Sequence, residues 1–334
     1  MSVWKYVLRR LLFMIPMFIG ISIIVFLLMY AAGDPLQIIV RGNPRILQNP
    51  AFLESIKAYY GLDKSLPEQY LRWLWNFLNL NLGNSVYGGR PVNLLVGAWF
   101  WETVKLQLVA LAFSLALSIY AGILSARKQY SKTDTAVTTI SIFGISMPVF
   151  WFGIILILFF SFTLGWLPSS GAYGATRVWP SLKPVAEATS AELLVDHVLH
   201  LVLPSLVLTY ANLALYVRII RSNMLEVLRQ DYILAARASG LPERKVLYSH
   251  AFRNVLSPLV TLVGLYFAGI VAGAPITETV FSWPGLGRFY VQATLGLDFP
   301  VIMGITMIIV VMTLVANIVA DLAYAVVDPR VRIE

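Results

Sequence analysis

The sequence predicts an all-α integral membrane protein of six transmembrane helices, with a partly helical outer loop after the first span. Three observations predict it. The 334 residues are 58% hydrophobic and only 13% charged, against about 25% charged in an ordinary soluble domain. Six apolar runs, at residues 11–32, 106–126, 136–164, 198–217, 255–277 and 301–320, have no Asp, Glu, Lys or Arg in their interiors. Each reaches the roughly 20 residues a helix needs to cross a bilayer. Counted loop by loop, residues 1–10, 127–135, 218–254 and 321–334 hold fifteen of the 25 Lys and Arg. The positive-inside bias puts that side, with both termini, in the cytoplasm. The net charge of +8 is therefore topological and does not mark a nucleic-acid partner.

The organisation follows in order. Residues 1–10 form a cytoplasmic N-terminus carrying Lys5, Arg9 and Arg10. The apolar run at 11–32 is longer than the roughly 7–15 residues of a secretion signal and reads as a retained anchor. Residues 33–105 form an extracytoplasmic loop too long to be structureless. Within it, 51–60 and 68–80 have helical apolar spacing, and Leu66-Pro67-Glu68 is a helix start, so a small helical external cap is expected. Residues 106–320 form a five-helix core with a cytoplasmic loop at 218–254, and 321–334 a cytoplasmic tail. Trp99, Trp101, Trp166 and Trp283 fall at the expected outer interface, where indoles anchor. Residues 169–194, rich in Pro, Gly and Ser, read as an irregular outer loop. Gly264, Gly269 and Gly273 in the fifth run are candidates for lining a pathway or gate, since small residues allow close helix approach.

The least membrane-like stretch of the C-terminal half is DYILAARASGLPERKVLYSHAFRNVLSP, residues 231–258. Asp231 is placed to cap a short helix, and Gly240 to end it in the left-handed conformation. Pro242 suits the first turn of a second helix, with Glu243 near its N-terminus. Ala235, Ala236 and Ala238 expose backbone for close approach. The stretch reads as a surface that receives another protein.

Catalytic chemistry is missing from the sequence. There is no cysteine and there are only three histidines, His197, His200 and His250, so a metal site of His and Cys is not expected. His197 and His200 have no H-E-x-x-H around them, and no G-x-S-x-G elbow occurs. Gly285-Leu286-Gly287-Arg288 lacks the strand-before-helix setting of a nucleotide loop, and no G-x-x-x-x-G-K-[ST] occurs. Span interiors without charge disfavour proton coupling. Uphill transport would need energy from another subunit at the cytoplasmic face.

Ala235-Ala236-x-x-x-Gly240, followed by basic residues and an apolar helix, resembles the EAA loop of ABC-importer permeases. ARASGLPERKVLYSHAFRNVLSP is similar to the version found in the first membrane subunit of the dipeptide/oligopeptide permease family. RRLLFMIPMFIGISIIVFLL, YGLDKSLPEQYLRWL, LNLGNS, FSWPGLGRFY and DLAYAVVDPRVR resemble that subunit in the same order, over nearly the whole chain. The resemblance implies transmembrane helices of the type I ABC importer kind, in a multi-pass protein of the prokaryotic plasma (inner) membrane. It implies a permease moving peptides by alternating access, with oligosaccharides, nickel complexes or a stand-alone channel as alternatives. The implied partners are a second homologous permease subunit, two ATP-binding subunits that use ATP and Mg, and an extracytoplasmic solute-binding protein. No cofactor is implied on this chain. Asp231, Ala235, Ala236, Gly240 and Leu241 would lie in or beside the ATPase contact. Phe281, Trp283 and Arg288 would lie in the outer-face contact. The sequence departs from the wider motif at Leu234, where Glu is usual, and at His250, where an aliphatic residue is usual.

Overall fold

The structure, a computed structural model, describes residues 3–33, 36, 50–60 and 62–327. It divides into two compact units, one of residues 1–101, 289–318 and 333–334, the other of residues 102–288 and 319–332. Among the described residues everything regular is helical, apart from two isolated bridges, Asn84 with Pro91 and Arg177 with Pro184.

In the first unit, α1 spans Val3–Ala32, 30 residues or about 45 Å of helix. α2 (Pro50–Tyr60) and α3 (Leu66–Leu78) are the two helices expected in the outer loop. Pro67 at the start of α3 suits a helix N-terminus because its missing N–H is one that no helix would use. α3 is not a cap standing clear of the span. The α1 residues Phe18, Ser22 and Phe26 recur every four positions and make one stripe. Against it lie Phe77, with centroids 5.8 Å from Phe18, Tyr70, whose hydroxyl is 2.8 Å from Ser22 Oγ, and Trp73, 6.3 Å from Phe26. The opposite side of α3 exposes Leu71, Trp75 and Leu78. The LNLGNS segment turns at Leu80 and Gly83, both at positive φ, and Ser85 Oγ and the Val86 N–H donate to the buried Asp298.

Three further boundaries differ from expectation. α4 runs Val92–Arg127, so residues 92–105, expected in the outer loop, are its first turns. Charge at Glu102 and Lys105 ends the hydropathy signal there, but an i,i+3 ion pair of 2.7 Å joins them on the helix. Trp99 and Trp101 therefore lie inside the helix rather than before it. The third run, 136–164, is broken. α5 (Lys132–Ser146) and α6 (Val149–Leu156), which continues as a π segment over Ile157–Thr163, meet at 103°. Pro148 drives Met147 to an extended ψ of 125°.

α7, Ser190–Val227, extends well past the run at 198–217 on both sides. Thr189 and Glu192 start it with a reciprocal capping box. α8 is Asp231–Ala238. A helical turn Glu243–Lys245 and a π segment Val246–Ala251 lead into α9, Phe252–Ile270. The fifth run, 255–277, is therefore not one helix. α9 stops at Ile270, Gly273 takes φ +74°, and Pro275 opens a separate α10, Pro275–Val280. α11 is Leu286–Gly296, and α12 is Phe299–Val327. The tail expected from 321 is thus helical to Val327, and residues 328–334 lie outside the described residues. Among the described residues four helices are long and apolar enough to cross a membrane, within Leu8–Ala32, Val92–Arg127, Ser190–Val227 and Phe299–Val319, and the bent α5–α6 pair makes a fifth if it is one span.

Candidate functional site

The 231–258 stretch folds as a hook whose first helix, α8, is held by one deep anchor. Ile233 on α8 is fully buried, in a core with Ile220 and Met224 of α7, Ile123 of α4, and Val255 and Leu259 of α9. Burying an isoleucine side chain contributes about 2 kcal/mol. Ala236 and Leu241 pack against the same cluster. The outward face shows Tyr232 (45% exposed), Leu234 (52%), Ala235 and Ala238.

Asp231 is not the cap. The carbonyl of Gln230 accepts the first helical bonds, from Ile233 and Leu234, at 3.0 and 3.2 Å. Gln230 is therefore the cap residue, and Asp231 begins the helix without a side-chain capping bond. Its carboxylate still stands in the first turn, where the helix end is positive.

Gly240 ends the hook as expected, at φ +75°. The Gly240 N–H donates to Arg237 O at 3.0 Å and the Leu241 N–H to Ala236 O at 3.4 Å. These are the two bonds of a Schellman ending, which satisfies carbonyls the helix leaves over. Pro242 stands at the cap of the next turn rather than inside it. Across the bend, Arg237 Nη2 donates to Glu243 Oε1 at 2.8 Å and Nε to Oε2 at 3.3 Å. Asn254 Nδ2 donates to Tyr232 Oη at 2.5 Å and ties α8 to α9. Asp231, Ala235, Ala236, Gly240 and Leu241 thus belong to one continuous helix and turn. Exposed Arg229, Arg237, Arg244, Lys245 and Arg253 surround it, giving a basic rim to a partly apolar face.

The other candidates fare differently. Gly264 and Gly269 lie on α9, and nothing lies within 4 Å of a methyl built at Gly269. Gly273 lies beyond the helix, where a methyl would sit 2.9 Å from Glu278 Oε1. Phe281 and Trp283 are 2% and 0% exposed, so they form core, not a contact surface, and Trp283 is no interfacial anchor. Trp283 packs with Leu106, Ala110, Leu201 and Leu208, and Phe281 with Leu203 and Val207. Arg288 is half-buried and donates from Nη1 to Ser282 O.

The FSWPGLGRFY segment proves to be a backbone cradle for a carboxylate. Glu278, fully buried, accepts from the Arg288 N–H at 2.8 Å, the Ala274 N–H at 3.2 Å and Thr103 Oγ1 at 3.0 Å. Gly285 and Gly287 have to be glycine here, since a methyl on either would run into that carboxylate. A second buried carboxyl group, Asp134, is held by Arg221, Ser125 and the Tyr130 N–H. The sequence reading missed both. Ser131-x-x-Asp134 is a helix-start spacing that points to the second.

Comparison with known proteins places these features in context. Residues 118–333 match the family model of the binding-protein-dependent transport system inner membrane component, and residues 3–89 match the model of its N-terminal part. The oligopeptide transport system permease protein AppB of Bacillus subtilis is 41% identical over 329 residues, 98% of each chain. The di/tripeptide transport system permease protein DppB of Pseudomonas aeruginosa is 37% identical over 337 residues, again 98% of each. The dipeptide transport system permease protein DppB of Escherichia coli matches at the same identity and coverage. Among solved structures, an inward-facing form of the MetNI methionine ABC transporter aligns with TM-score 0.54 and 17% identity, over 70% of this chain and 96% of that one.

Proposed function

Because the chain belongs to the family of binding-protein-dependent transport system inner membrane components, we propose that it is the first membrane subunit of a peptide importer and that the 231–258 hook is its ATPase-coupling element. The chain is a multi-pass membrane transport component, not an enzyme, and works with an ATPase and a solute-binding protein. The peptide assignment is supported by relatives that carry oligopeptide, di/tripeptide and dipeptide transport in their names across 98% of their length.

The observation that carries the coupling role is the construction of α8. It is capped at its C-terminal end, packed against three long helices through Ile233, and open on its other side. In the proposed mechanism two ATP-binding subunits close on ATP and Mg and displace this hook in the cytoplasm. The core around Ile233 transmits the displacement to α4, α7 and α9. A second homologous permease completes the pathway, and the spans alternate between inward-open and outward-open states. A ligand shifts such an equilibrium only by its different affinity for the two states, so the hook must be held tightly in at least one. Leu234 replaces the usual Glu, so this contact is apolar at that point and the basic rim supplies the charge. Copurification tests the reading. The chain with Leu234→Asp is expected to reach the membrane but lose its ATP-binding partner and peptide uptake. Retention of both would refute it.

A further inference from the structure

α3 has three sides of different character. At about 100° of turn per residue, Tyr70, Trp73 and Phe77 fall on one side, Gln69, Arg72 and Asn76 on a second, and Leu71, Trp75 and Leu78 on a third. The first side packs on the Phe18, Ser22 and Phe26 stripe of α1. The second lines a cavity of about 280 Å³ together with Tyr30 of α1 and Phe299 and Met303 of α12. The third is open, with all three of its large apolar side chains exposed.

The contacts with α1 fix the depth at which that open side stands. Phe77 meets Phe18 and Trp73 meets Phe26, so the two helices are antiparallel and α3 descends as α1 rises. α1 supplies the membrane-crossing stretch Leu8–Ala32. Phe26 and Phe18 lie about 9 and 21 Å along the helix from Ala32, and about 27 and 15 Å from Leu8. Taken from either end, both levels fall inside a hydrocarbon core about 30 Å thick. The cavity gives a second marker of level. It joins Tyr30, near the end of α1, to Phe299, the first residue of the crossing stretch Phe299–Val319 in α12. The ends of two crossing stretches therefore stand together, and α3 descends beside them.

The lower end of α3 suits a place without water. A helix leaves its last carbonyls unpaired, and non-helical backbone at membrane depth has to be satisfied within the protein. Trp75 O accepts from Asn79 Nδ2 at 2.8 Å, Asn76 O from the Asn81 N–H at 2.9 Å, and Phe77 O from the Leu80 N–H at 2.9 Å. The turn that follows is closed by Asn93, which accepts from the Leu82 N–H at 3.1 Å and donates to Leu80 O. The Gly83 N–H donates to Asn81 Oδ1 at 3.0 Å. Leu80, at the tip of this turn, holds an exposed apolar side chain. Polar backbone is thus turned inward beneath exposed leucines, the arrangement that hydrocarbon favours and water does not.

We propose that α3 is a half-helix inserted in the bilayer beside α1, with Leu71, Trp75, Leu78 and Leu80 on the acyl chains of the leaflet nearer Ala32. Its Gln69, Arg72 and Asn76 side turns to the polar cavity, as a cation at membrane depth requires. The open side is therefore a lipid contact and not a docking surface for the solute-binding protein or a second permease. The inference rests on α1 crossing the membrane and is independent of the peptide and coupling assignments.

The chain has no cysteine, so a single introduced cysteine carries its only thiol-directed spin label. Leu71→Cys, Trp75→Cys, Leu78→Cys and Asn76→Cys are labelled in the complex, assembled in nanodiscs of phosphatidylethanolamine and phosphatidylglycerol, with the unaltered chain as blank. Collision with oxygen, which concentrates in lipid, is compared with collision with a water-soluble nickel chelate. The oxygen-to-nickel ratio is expected to be severalfold higher at positions 71, 75 and 78 than at 76, and to rise from 71 to 78. A ratio at those three positions no higher than at 76 overturns the proposal, because the side is then wet. Shielding from both reagents also overturns it, because protein then covers the side. The unaltered complex supplies an independent reading. With a phospholipid carrying a diazirine on its acyl chain, photoadducts are expected on residues 71–80 as well as on the exposed Leu27 and Leu28 of α1. Adducts on α1 with none on α3 overturn the proposal.

Discussion

Asp134 and Arg221 meet as a two-pronged ion pair, with Nε 2.7 Å from Oδ1 and Nη2 2.8 Å from Oδ2. Asp134 opens α5 and Arg221 stands on α7. Ser125 Oγ, near the end of α4, donates to the same carboxylate at 2.5 Å, and the Tyr130 N–H does so at 2.9 Å. One carboxylate therefore gathers three helices and a turn on the side that carries α8. Asp134→Ala is expected to cost about 2–3 kcal/mol by stranding a guanidinium that is only partly exposed. Arg221→Lys should cost only part of that, since it keeps the charge but not the fork. Thermal unfolding of the purified complex measures both.

The hook separates anchoring from docking. Ile233→Ala is expected to destabilise the complex by about 2–4 kcal/mol, as a large-to-small change in a packed core. Leu234→Ala, on the exposed face, should change stability by no more than about 0.5 kcal/mol and yet weaken binding of the ATPase. Stability and subunit copurification, measured on the same two variants, check the division.

Gly240 is a conformational requirement. Its φ of +75° is closed to proline, and proline would also remove the N–H that reaches Arg237 O. Gly240→Pro should leave the chain in the membrane while abolishing coupled uptake and solute-stimulated ATP hydrolysis. Gly240→Ala meets open space, so only the left-handed strain of about 1–2 kcal/mol applies, and partial activity is the expected result.

The glycines of the 281–290 segment and of α9 are predicted to behave in opposite ways. Gly285→Ala drives a methyl into the Glu278 carboxylate and should prevent accumulation of folded protein. Gly269→Ala has free space and should accumulate normally. If Gly269 lines the pathway, its variant will alter uptake at unchanged protein level, and uptake assays normalised to protein level decide the point.

Phe281 and Trp283 act through packing. Replacing either with alanine is expected to cost about 3–5 kcal/mol, read as loss of assembled complex, while affinity for the solute-binding protein is unchanged in whatever assembles.

The sequence by itself determined the class of the protein, most of its helices and the character of the hook. Apolar runs without charge have only one low-energy way to satisfy their backbone in lipid. A glycine after an alanine-rich turn has a local reason to end a helix. Local chemistry also made the cap at Thr189 and the break at Pro148. Only the tertiary structure decided what the charged and aromatic residues do. Glu278 and Asp134 sit at helix ends in sequence, and nothing local says that a distant threonine, a glycine loop or an arginine 87 positions away will enclose them. Trp283 looks like an interfacial aromatic and Phe281 like part of a contact surface in one dimension, because hydropathy counts a ring the same way whether lipid, water or a neighbouring helix covers it. The same limit applies to Glu102 Oε2 on α4 and His197 Nε2 on α7, which lie 3.8 Å apart only because the two helices pack. Periodicity and capping are properties of neighbours along the chain, whereas pairing and burial belong to neighbours in space.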